Sequence, residues 1–97
     1  MNNLQKRTVI LSIASHLKRI ANLIAENKEQ INNQLIISFN NQSIELFNTL
    51  DDINNEDFKS LERLLYQIKY GFPFNSYESA ERALVLYNIL LNRVDSY

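Results

Sequence analysis

A chain of 97 residues is long enough for one modest hydrophobic core and too short for two. Its apolar fraction of 45% and charged fraction of 22% exclude a disordered chain, and a single Gly and a single Pro argue against a turn-rich sandwich or barrel. Cysteine is absent, which removes disulfide and thiolate chemistry, and a formal charge of −1 supplies no overall pull towards nucleic acid.

The first segment repeats Ile10, Ile13, Leu17, Ile20 and Ile24 at three-four spacing, which places all five on one helical face. Leu11, Ala14, Ala21 and Leu23 broaden that face, as in a helix inside a bundle. Asn2 or Asn3 is the natural cap, and the helix is expected to end near Asn27. Ser12, Ser15 and His16 interrupt the apolar run well short of the ~18 residues of a membrane span, so neither a span nor a secretory signal peptide is expected.

Residues 28–53 read as one long helix or two short ones, with Ile31, Leu35, Phe39, Phe47, Leu50 and Ile53 as the apolar positions. Asn40-Asn41 followed by Ser43 offers a break and a new cap. The run from Gln34 to Phe39 is rich in β-formers, but a lone strand cannot satisfy its backbone, so helix is the expectation here too. A connector over Asp51–Asn55 follows, with Asn54 or Asn55 as cap and Glu56 and Asp57 suited to the positive end of a helix dipole. Phe58, Leu61, Leu64, Leu65 and Ile68 then mark a third helical face.

The stretch Tyr70-Gly71-Phe72-Pro73-Phe74-Asn75-Ser76-Tyr77 contains the only Gly and the only Pro and separates two periodic segments. Gly71 suits a helix terminus, Pro73 disfavours helix at Phe72, and Asn75 or Ser76 can cap a new helix. The last segment carries its expected core at Ala80, Ala83, Leu84, Tyr87, Leu91 and Val94. Residues 60–65 and 79–84 look alike, as two amphipathic helices often do, and no repeat is implied. The fold class is therefore all-α: a small antiparallel bundle of four helices, or five if the second segment is broken, forming one domain over 1–97.

Charge is segregated along the chain. Lys6, Arg7, Lys18, Arg19 and Lys28 oppose Glu26 alone in the first segment, whereas Glu29, Glu45, Asp51, Asp52, Glu56 and Asp57 face no base up to Phe58. Mutual attraction within the fold accounts for this as well as any function does. His16, the one histidine, has no triad partners in the sequence. The pairs Asp51-Asp52 and Glu56-Asp57 lack the ligand alternation and Gly of a Ca²⁺ loop. No cofactor, metal site or catalytic set is expected.

The functional candidates are accordingly surfaces. Tyr70, Phe72, Phe74 and Tyr77 exceed what one turn can bury and are candidate anchors for a protein partner, with Phe72 and Phe74 as a plug on the core the simpler alternative. Glu45, Asp51, Asp52, Glu56 and Asp57 would steer a basic partner towards them. The expectation is a cytoplasmic, non-enzymatic protein-binding regulator, inhibitor or adaptor, compatible with self-association and not directed to a membrane. The alternative is a nucleic-acid-associated subunit using Lys6, Arg7, Lys18 and Arg19, against which the acidic stretch counts.

Overall fold

The computed structural model describes residues 2–26, 33–50, 56–70 and 77–95. They form four helices, α1 (Asn3–Glu26), α2 (Asn33–Asn48), α3 (Glu56–Lys69) and α4 (Tyr77–Val94), with no strand among the described residues. The expected caps at Asn54, Asn55, Asn75 and Ser76 lie outside those residues, as does the interior of the Gly–Pro elbow.

α1 begins with a reciprocal cap. Asn2 Oδ1 accepts from the Gln5 backbone N–H at 2.8 Å, and Gln5 Oε1 accepts from the Asn2 N–H at 3.1 Å. Two amides that the first turn would leave unpaired are thereby satisfied. The five isoleucines and leucines expected on its inner face are all buried, together with Ala14 and Ala21; Leu11, expected beside them, is exposed. By length and composition α1 could cross a membrane, although this apolar face is taken up by the core.

α2 runs unbroken through Asn40-Asn41. The Asn40 carboxamide reaches across to α3, and Ser43 Oγ donates to the Phe39 carbonyl within the same helix at 2.9 Å. Both side chains that could have broken the helix are engaged in ways compatible with it. Its buried face is Ile36, Asn40, Ser43 and Ile44, so Leu35, expected to be inside, stands exposed while Phe39, Phe47 and Leu50 are half-buried. Ile31 and Ile53 lie outside the described residues.

α1 and α2 run antiparallel, since His16 meets Ser43 while Arg19, one turn later, meets Phe39. Asn40 and Leu65 lie nearly equal distances from the α2–α3 connector and touch, which makes that pair a hairpin as well. α1 packs on α2 and α4, and α3 closes the ring between them, giving a bundle of 42 × 22 × 20 Å. All five apolar residues expected of α3 are buried.

In α4 the buried set is Ala80, Ala83, Leu86, Leu90 and Val94. Leu84 is 40% exposed, contrary to the expected face, and Tyr87 and Leu91 are half-buried at its edge. Residues 83–87 and 89–91 are apolar almost without interruption, so local periodicity there admits more than one buried row. Contact with α1 and α3 selects the row.

Candidate functional site

Tyr70 is the elbow aromatic whose side chain is described. It is 76% exposed, and its ring lies 6.1 Å from that of Tyr66, nearly parallel at 23°. The Tyr70 N–H donates to the Tyr66 carbonyl at 3.1 Å, extending the last turn so that the two rings, four residues apart, share one face. Lys69 Nζ sits 5.5 and 5.6 Å from the two ring centres, within cation–π range of both. A shallow depression runs along this outward face of α3 past Lys59, Arg63, Tyr66 and Tyr70.

Phe72, Phe74, Asp51 and Asp52 lie outside the described residues, and of Tyr77 and Asp57 only the backbone is described. Glu45 is exposed on α2. Glu56 is exposed at the start of α3 with Lys59 Nζ at 3.9 Å. Fourteen residues of helix, or ~21 Å at 1.5 Å per residue, separate Glu56 from Tyr70. The aromatic end and the acidic end of the expected surface are thus distinct regions among the described residues.

Beside the tyrosines, α3 and α4 border a cleft of about 500 Å³. Leu64 and Leu86 form its floor, with Ile89 half-buried and Val85 56% exposed above them. Arg82 Nη1 donates to Gln67 Oε1 across the cleft at 3.1 Å and its Nη2 lies 3.7 Å from Glu78. Arg63 and Gln67 border both the depression and the cleft, so the two are one continuous surface. Its cations Lys59, Arg63, Lys69 and Arg82 are matched by Glu56, Glu62, Glu78 and Glu81, which is not a polyanion footprint.

Sequence reasoning missed Tyr66, Arg63, Gln67 and Val85. The four-residue spacing of Tyr66 and Tyr70 was a usable signal for a shared helical face; nothing local singled out Val85 within an apolar helix.

The basic residues of α1 diverge. Lys6 is half-buried and Arg7 exposed, while Lys18 stands 5.2 Å over the Tyr87 ring of α4 and Arg19 5.4 Å over the Phe39 ring of α2. His16 also meets Phe39, its ring 5.6 Å away, with Nδ1 3.3 Å from Ser43 Oγ. With the Ser43 proton on the Phe39 carbonyl, Oγ accepts from His16 Nδ1–H. Ser43 is fully buried, so this pair lacks the exposed nucleophile that hydroxyl chemistry needs. Burial, and secondarily the nearby Arg19 charge, hold the imidazole below its ordinary pKa. Among the described residues no three acidic or histidine side chains gather as metal ligands.

No family model matches the chain, and no curated protein or solved structure matches it.

Proposed function

We propose that this chain is a non-enzymatic, cytoplasmic protein-binding bundle, a regulator, inhibitor or adaptor, that meets its partner through the outward face of α3. The observation that carries the reading is the Tyr66–Tyr70 pair, held side by side with Tyr70 76% exposed. Aromatic rings gain little by facing water, and rings already ordered on a helix lose little entropy when a partner covers them. Glu45 and Glu56, at the far end of the bundle, would contribute to encounter rate rather than to the anchor itself. The nucleic-acid alternative draws less support, because Lys18 and Arg19 each lie over a ring of a neighbouring helix.

The test is affinity capture from the native host with the wild-type chain and a Tyr66→Ala/Tyr70→Ala variant, compared by mass spectrometry. A specific partner should be lost with the variant and weakened by Tyr70→Ala alone, whose melting temperature should stay near wild type because Tyr70 is exposed. Identical recovery by both proteins, or a nuclease-sensitive capture that depends on Arg7, would overturn the reading.

A further inference from the structure

We infer that the cleft between α3 and α4 receives an amphipathic helix of the partner protein, carrying carboxylates along the flank that faces α3 and ammonium groups along the flank that faces α4. The inference rests on the protein-binding reading of the same surface and names the partner's chemistry.

Three observations carry it. First, a cleft of about 500 Å³ opens between α3 and α4 over the apolar floor of Leu64 and Leu86. Second, Val85 and Ile89 lie one turn apart along the wall above Leu86, and Val85 is 56% exposed. Such a row is the counterpart of a helix presenting apolar side chains at i, i+3 or i+4, and i+7. Arg82 and Gln67 bridge the seam near the start of α4, so it opens towards Ser60 and Ile89.

Third, the two walls differ in charge. Arg63 on α3 and Glu81 on α4 border the cleft, and neither has an ion pair among the described residues. They flank the apolar seam as charged positions flank a coiled-coil interface, where they set partner choice and orientation. A helix with one acidic and one basic flank satisfies both walls. One with like charges on both flanks meets repulsion on one side.

Three fluorescent, helix-favouring peptides with the same leucine seam test this, one with Glu on one flank and Lys on the other, one with Glu on both, one with Lys on both. The mixed peptide should bind about threefold to tenfold more tightly than either of the others at low salt. Arg63→Glu should shift the preference to the doubly basic peptide and Glu81→Arg to the doubly acidic one; the double exchange should restore the mixed peptide. Amide shift changes should centre on Val85 and Ile89, and circular dichroism should verify that each variant is folded. Failure of all three peptides to bind, a preference order indifferent to both reversals, or shift changes away from the cleft would overturn the inference. So would a concentration-dependent dimer dispersed by Val85→Asp, since a second copy would then occupy the seam. A captured host protein that requires Tyr66 and Tyr70 but binds Arg63→Glu and Glu81→Arg undiminished would remove the helix and leave the protein-binding reading intact.

Discussion

The Asn40 carboxamide donates from Nδ2 to the Leu65 carbonyl at 2.8 Å, inside the seam between α2 and α3. Asn40 is fully buried, and its Oδ1 has no hydrogen-bond partner among the described residues. One good bond therefore offsets the desolvation of one unpaired acceptor, and the net contribution to stability is small. What the bond supplies is position, because sliding α2 by a residue would leave a whole carboxamide unsatisfied in the core.

Asn40→Ala should cost only about 1 kcal/mol, since it removes the unpaired oxygen along with the bond. Asn40→Asp should cost about 3 kcal/mol or more at neutral pH, because it buries a carboxylate against a carbonyl with no cation at hand. The buried carboxyl would have its folded-state pKa raised above the unfolded value. Stability is then lost as pH rises through the folded pKa and regained on acidification. Urea titrations of both variants at several pH values check the contrast.

Substitutions on α3 and α4 should separate by burial. Leu65→Ala and Leu90→Ala remove fully buried side chains and should each cost about 2–5 kcal/mol. Leu84→Ala should cost less than about 1 kcal/mol, its side chain being 40% exposed. Equal losses at Leu84 and Leu90, read by chemical denaturation, would place the inner face of α4 elsewhere.

His16 should make stability fall on mild acidification. Its pKa is lowered in the folded state by burial and then by Arg19, so below about pH 6.5 the unfolded chain takes up a proton that the folded one resists. The stabilisation is present above the unfolded pKa and is lost as pH falls towards the folded value. The effect is small for a partly exposed group. Comparing melting temperatures of wild type and His16→Gln between pH 7.5 and 5.5 isolates it, since the carboxylates are common to both.

Tyr70→Ala should leave the melting temperature almost unchanged and weaken a captured partner by about 2 kcal/mol or more. A large loss of stability instead would mean that the Tyr66–Tyr70–Lys69 stack closes the end of the bundle. Differential scanning calorimetry beside a titration with the partner distinguishes the two roles.

Local pattern was enough for the helical class, for the inner faces of α1 and α3, and for a cap at Asn2 or Asn3, because each depends on residues within a turn or two of one another. In those helices the apolar rows are interrupted by polar residues, and burial can follow one phase only. Tertiary contact decided the rest. α2 stays whole because Asn40 finds its partner in Leu65, twenty-five positions away, and turns Ile36 rather than Leu35 inward. Between residues 83 and 91 α4 carries more apolar positions than one row can bury, so the hydrophobic effect, which has no direction of its own, left the choice of row to the shapes of α1 and α3. The candidate surface arises in the same way: Tyr66 and Tyr70 are neighbours by helix geometry, but the cleft beside them is lined by side chains of both α3 and α4 and so exists only in the assembled bundle.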